Sequence, residues 1–296
     1  MTTHLAATVS QEWLSLREPA DHAARSRELV SEVLRVLPGG GVTIHDLGSG
    51  TGSMPRWLAP QLPRPQRWEL HDRDADLLAR AVAIGPPEAA DGSPILLTTR
   101  HGDVTTIRAA DLAGADLVTT SALLDLLTAD EVTRIALACV NASCPALFTL
   151  SVTGEVVLTP AHWLDKAIGA AFDAHQRRTV AGRQLLGPDA IDHATDAFGR
   201  LGAQVTTRES PWRLGADDIG LVVEWITGWV GAACEQRPEL VGPARDYLRQ
   251  RLSEAATGRL GVTVGHADLL AVAPPESGRT ARAGRTCSGQ KGASGR

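Results

Sequence analysis

The 296-residue chain is poor in the cysteines and long apolar runs that staple or anchor a protein. Its four cysteines, Cys139, Cys144, Cys234 and Cys287, form no CxxC pair, so neither a zinc site nor a disulfide framework is expected. No stretch approaches the roughly 18 apolar residues of a membrane span. The first residues lack a basic start followed by an apolar run, so no secretory signal is expected. Lysine is scarce, the formal net charge is −5 and the pI is about 6.0. The broad basic footprint of a nucleic-acid binder is therefore missing. A soluble protein of a reducing cytoplasm is expected, with neither a membrane nor a nucleic acid as partner. The richness in Ala, Arg and Gly beside little Lys is the composition of proteins from high-GC bacteria. No internal repeat is visible.

What is present suffices for one sizeable core, since 43% of the residues are hydrophobic. Apolar residues recur at three and four through residues 21–37, which predicts one amphipathic helix closed by Pro38-Gly39-Gly40-Gly41. Short apolar runs at 42–47, 67–71, 94–99, 116–120 and 146–152 read as strands, with helical stretches between them. That alternation predicts an α/β fold, a doubly wound and mostly parallel sheet. From about 153 to 240 the character changes. Helices are expected at 160–176, 188–201 and 217–233, with a strand at 203–209, and the region holds Trp163, Trp212, Trp225 and Trp229. A helix near 239–256 and a strand at 261–272 follow, with Gly265 marking a bulge. The expected organisation is one domain over 1–273: an N-terminal helical segment (1–38), a core (39–152), a lid (153–240) and a terminal helix and strand (241–273). Residues 274–296, with five basic residues against one acid and no apolar run, read as a disordered tail.

The strongest local signal is His45-Asp46-Leu47-Gly48-Ser49-Gly50-Thr51-Gly52 between a strand and a helix, with Ser53 as the expected N-cap. Glycines let the backbone turn tightly and let a ligand approach without a Cβ in the way. The helix behind the turn aims its free N–H groups and positive dipole end at the loop. The spacing is GxGxG, whereas the dinucleotide fingerprint is GxGxxG. Asp46 stands two residues before the first glycine. An acid there suits an ammonium group and repels a pyrophosphate, so a sulfonium amino-acid conjugate fits better than NAD. Asp72, 20 residues after Gly52, can accept from both hydroxyls of a ribose. Asp103, after the third strand, can accept from an exocyclic amine. Three acids at the ends of three successive strands match the crevice of an open parallel sheet.

Asp46 to Gly52, the later Asp72, Gly102-Asp103 and Asp116-Leu117-Val118-Thr119-Thr120-Ser121 resemble the successive cofactor motifs of class I S-adenosylmethionine-dependent methyltransferases. The resemblance covers roughly residues 42–152, and the strand at 261–272 is similar to that family's terminal antiparallel strand. It implies a seven-stranded Rossmann-like sheet with a helical lid insertion, S-adenosylmethionine as cofactor and a methyl group transferred. The cofactor-binding residues it implies are Asp46, Gly48, Ser49, Gly50, Thr51, Gly52, Asp72, Arg73, Asp103, Val104 and Ser121. Arg73 either lies over the adenine or faces solvent.

No motif names a base, because the chemistry of an activated methyl group needs mainly positioning. Two catalytic residues are put forward. Asp125, four residues after Ser121 and among leucines, can have a raised pKa and act as a base; the competing reading is a capping or exposed helix acid. His162, at the start of the lid, titrates in the useful range; the competing reading is structural. The segment 13–21 either folds over the site or is a plain N-terminal helix. The lid tryptophans either line an aromatic pocket or form core. Several absences narrow the substrate. Strand four does not end in the Asp/Asn-Pro-Pro-aromatic motif of amino-methylating nucleic-acid enzymes. Cys144-Pro145 reverses the Pro-Cys order of cytosine-C5 enzymes, and Glu155 has no paired glutamate. No metal-binding acid ends strand four, and His45-Asp46 and His71-Asp72 are not at metal-ligand spacings. A small organic substrate, methylated at oxygen, nitrogen or carbon, is expected. The alternatives are an RNA methyltransferase and a non-catalytic S-adenosylmethionine-binding protein. The oligomeric state is not readable from the sequence.

Overall fold

The computed structural model describes residues 10–273. The expected disordered tail lies outside them. In chain order the elements are α1 (Gln11–Ala24), α2 (Arg27–Val36), β1 (Val42–Leu47), α3 (Ser53–Leu58), β2 (Gln66–Asp72), α4 (Ala75–Ile84), β3 (Ile95–His101), β4 (Leu117–Ser121), α5 (Ala129–Asn141), β5 (Ala146–Thr159), α6 (Asp165–Gln176), β6 (Thr179–Val180), β7 (Arg183–Gln184), α7 (Ala190–Arg200), β8 (Gln204–Glu209), β9 (Trp212–Leu214), α8 (Ile219–Gln236), α9 (Val241–Ala256) and β10 (Gly261–Val272).

The central sheet runs β3-β2-β1-β4-β5-β10-β8, with β9 pairing beside it on β10 and β6-β7 forming a separate hairpin. The first five strands are parallel, and β10 enters antiparallel between β5 and β8. This is the mostly parallel seven-strand sheet with an antiparallel terminal strand. Alternation along the strands splits the core. Val42 and Ile44 of β1 and Trp68 and Leu70 of β2 face α2, α3 and α4. Leu47, Val118 and Phe148 face α5 and α7. A third apolar cluster joins α6, α8 and α9 to the outer ends of β5, β9 and β10.

The structure changes the sequence reading in four places. The helix expected over 21–37 is two helices. Residues 21–24 end α1, and the chain turns at Arg25 and Ser26, because Ser26 caps α2 through Leu29 N and its own N–H is drawn to Asp268 Oδ2 at 2.7 Å. Gly52, in the left-handed conformation, is the N-cap of α3, and Ser53 instead accepts from Arg25. The strand expected at 146–152 continues to Thr159, because the outer half of β5 finds a partner in β10. Finally, residues 153–240 divide. The face Ile191, Ala194, Phe198 puts α7 on the sheet beside α5, and β8 is a sheet strand, leaving α6 and α8, which pack on each other, as added helices.

Two irregularities shape β5 and β10. Their register shifts between Val264 and His266, at Gly265, where an added Cβ would lie 2.4 Å from Thr153 Oγ1 and 2.9 Å from Glu155 Cβ. A second shift falls between Ala267 and Leu269. Opposite it Leu150 adopts φ +58°, and its N–H donates to Asp268 Oδ1 at 2.8 Å. Asp268 is wholly buried and also accepts from Ser210 Oγ at 2.5 Å.

Candidate functional site

The carboxyl ends of β1, β2 and β4 meet at the glycine turn. Gly48 and Gly50 have φ of +67° and +53°, a region costly for any residue with a Cβ. Their open faces are covered closely: a Cβ on Gly48 would lie 3.0 Å from Leu123, and one on Gly50 would lie 3.3 Å from Leu14 of α1. The turn is held from below. Gly48 and Ser49 both donate to His71 O, and Gly50 N donates to Asp72 Oδ2 at 2.8 Å. Asp72 Oδ1 accepts from Asp74 N at 2.9 Å. The same acid therefore shapes the loop and stands at its rim. Thr51 is buried, and its carbonyl accepts from Arg56 Nη1.

Asp46 is 1% exposed. Its Oδ1 accepts from Thr119 Oγ1 at 2.7 Å across the β1–β4 pairing, and its Oδ2 has no partner. Burial pushes its carboxyl up to about 7, against the opposing pull of the Thr119 bond and the Arg25 charge. Arg25, at the α1–α2 turn, is 2% exposed. One nitrogen reaches Ser121 Oγ at 2.9 Å and Ser53 Oγ at 3.1 Å, while Nε and Nη1 are unpartnered. The guanidinium lies 5.5 Å from the Trp57 ring centroid. Ser49 Oγ and Thr120 Oγ1 are buried without partners too. Buried polar groups are ordinarily bonded. Here an orphan carboxylate oxygen, a guanidinium edge and a hydroxyl gather at one turn. That donor set fits a zwitterion, with ammonium toward Asp46 and carboxylate toward Arg25 and Ser49. Neither Arg25 nor Thr119 was singled out from sequence. The signal for Thr119 was its place on β4; Arg25 was hidden in an apparently continuous helix.

Asp103 and Val104 lie further out, at the end of β3, and line a cavity of about 210 Å³ with Arg100 and Asp111. Asp103 is exposed and its Oδ1 caps the next turn by accepting from Thr105 N at 2.9 Å. Arg73 faces solvent, and its carbonyl accepts from His101 Nε2 at 3.0 Å. Beside this cavity, which His71 also lines, strand pairing brings together two histidines that sequence spacing had kept apart. His71 Nε2 and His45 Nδ1 are 3.0 Å from each other, with Glu69 within 3.9 Å and Arg100 3.7 Å from that acid. Burial lowers both histidines, His71 to about 4.

Asp125 follows Ala122, whose φ of +50° turns the chain sharply out of β4. The side chain lines a cavity of about 170 Å³. Burial pushes its carboxyl up to about 6. Trp13 and Arg17 of α1 wall the same cavity, so the segment 13–21 does fold over this region. Of the lid tryptophans, Trp212 and Trp225 line the cavity, Trp229 is buried in the helical core, and Trp163 is 77% exposed. His162 is not among the lining residues. Its Nδ1 accepts from Leu164 N at 3.1 Å and its ring meets Tyr247 edge-on at 5.0 Å, so the structure does not bring it to Asp125.

No protein-family model and no curated protein matches the chain. Solved structures do. A cyclopropane synthase, MmaA2, from Mycobacterium tuberculosis is 15% identical at a TM-score of 0.45, covering 89% of this chain and 94% of that one. A SAM-dependent methyltransferase from Thiobacillus denitrificans, solved with S-adenosyl-L-homocysteine, is 16% identical at a TM-score of 0.40, covering 90% and 100%. A phospholethanolamine N-methyltransferase from Haemonchus contortus is 15% identical at a TM-score of 0.41, covering 88% and 57%. Among the described residues no helix is long and apolar enough to cross a membrane.

Proposed function

We propose that this chain transfers a methyl group from S-adenosylmethionine to a small organic molecule. The observation that carries the reading is the set of unpartnered buried groups, Asp46 Oδ2, Arg25 Nε and Nη1, and Ser49 Oγ, around the Gly48–Gly50 turn. They are complementary to the ammonium and carboxylate of an amino acid, and no dinucleotide carries that pair. Asp72 supplies acceptors for ribose hydroxyls, and Asp103 an acceptor for the adenine amine beside Val104. The cofactor, when bound, supplies a methyl group already activated on a sulfonium. The chain's own work is then to orient the acceptor and exclude water. Asp125, four residues after Ser121, lines the aromatic cavity and is the residue suited to take a proton from an acceptor atom. A carboxyl raised to about 6 is half ionised near pH 6 and matched to that task.

Calorimetric titration with S-adenosylmethionine, S-adenosylhomocysteine and NAD tests the reading. Both sulfur ligands should bind saturably and NAD should not. Asp72→Ala, which removes two acceptors and frees Gly50 N, should weaken binding by at least about thirtyfold, the equivalent of about 2 kcal/mol. Binding of NAD alone, or of nothing, would leave only the fold.

A further inference from the structure

The cavity beside Asp125 has a one-sided chemistry. Its walls are aromatic, formed by Trp13, Trp212, Trp225 and Phe172. Its polar lining offers acceptors in excess. Asp125, Glu155 and Asp173 all face it, and no hydrogen bond from another side chain reaches Asp125 or Asp173 among those described. Gln176 Oε1 is buried there without a partner.

The groups that would balance these acids are already committed. Arg17 donates to Asp21 through Nε at 2.9 Å and Nη2 at 3.2 Å, and lies 4.9 Å from the Trp212 ring centroid. Trp212 Nε1 donates to the same acid at 3.0 Å. His266 spends its Nδ1 on Val264 O at 3.0 Å, and burial holds it neutral, down to about 4. Arg177 is engaged by Asp189 in two bonds of 2.6 Å. The cavity thus keeps two carboxylates that receive no donor from another side chain and an amide oxygen without a partner, beside the aromatic rings of its wall. A ring face attracts a cation, and a partly buried carboxylate without a donor attracts one more strongly.

We infer that the molecule held here is an amine-bearing aromatic compound, its ring among the tryptophans and its amino group toward Asp125, Asp173 and Gln176. Naming it the methyl acceptor rests on the methyl-transfer reading above; the binding preference does not. The volume, about 170 Å³, is the share of roughly six waters in the liquid and suits one or two rings. An acidic aromatic of the same size would meet two like charges.

The test uses two indoles of matched shape and opposite charge, tryptamine and indole-3-propionate. Each is titrated into the full chain by calorimetry, with and without saturating S-adenosylhomocysteine. Tryptamine should bind with a Kd at least about tenfold lower. Asp173→Asn, distant from the glycine turn, and Asp125→Asn should each reduce that preference. Their own S-adenosylhomocysteine affinities, measured alongside, report whether they are folded. Equal affinity, a preference for the acid, or no binding of either indole overturns the inference. Absence of S-adenosylhomocysteine binding overturns the methyl-transfer reading instead, and the two indoles still decide the inference in its absence.

Discussion

Asp46 shows how one buried oxygen can report on a ligand. In the free protein its carboxyl is raised to about 7 by burial. The unfolded chain releases that proton near pH 4. Between about pH 4 and 7 the folded state therefore holds a proton the unfolded state has lost, and stability from this group falls as pH rises. An ammonium placed against Oδ2 favours the charged form and lowers the pKa. Binding S-adenosylhomocysteine at pH 6.5 should thus release most of one proton. Calorimetry in buffers of different ionisation heat reads this directly, and Asp46→Asn should abolish it. Unchanged buffer dependence would mean that no cation reaches Asp46. The acid itself was legible in sequence from its place before the first glycine. Its partner Arg25 was not, because three- and four-residue periodicity runs on through residues 21–37 and hides the turn. That turn depends on a hydrogen bond to Asp268, and periodicity carries no information about it.

At the scale of elements, the joint between α1 and α2 is pinned by strand β10. Asp268 accepts from Ser26 N, Leu150 N and Ser210 Oγ, so it ties the joint, the β5 bulge and the chain before β9 to one carboxylate. Asp268→Ala leaves two N–H groups without acceptors and should cost roughly 2–6 kcal/mol. The loss is read as a lower urea midpoint at unchanged slope. The same variant should weaken S-adenosylhomocysteine binding, since α1 carries Leu14 over Gly50 and leads into Arg25. Stability lost with binding intact would separate the joint from the site. The parallel strands were legible because each is a short apolar run. The bulge at Gly265 was legible because a glycine interrupts a strand. The outer half of β5 was not, since the apolar run ends at Val152 and its pairing with β10 is long-range.

At the scale of the whole molecule, the added helix α6 is locked to α9 by a buried ion cluster. Arg251 of α9 has no exposed side-chain surface. It holds Asp165 of α6 through two bonds of 2.7 and 2.9 Å, Glu254 at 2.8 Å and Pro160 O at 2.7 Å, while Tyr247 OH donates to the same Asp165 at 2.7 Å. Arg251→Ala strands two acids and should cost about 3–5 kcal/mol, a fall in Tm on the order of 10 °C. Arg251→Lys should recover only part of it, because a point charge cannot satisfy Asp165 in two places. Full recovery would show that charge alone matters. This cluster was invisible in sequence because Arg251 and the Asp165 it holds are 86 residues apart.

The Ser26–Asp268 bond spans 242 residues. A ribosome adding roughly 5–20 residues per second needs on the order of tens of seconds to make that interval. The helix that roofs the glycine turn is therefore made tens of seconds before the strand that pins its C-terminal joint. Until β10 is paired, the crevice has a floor and no ceiling.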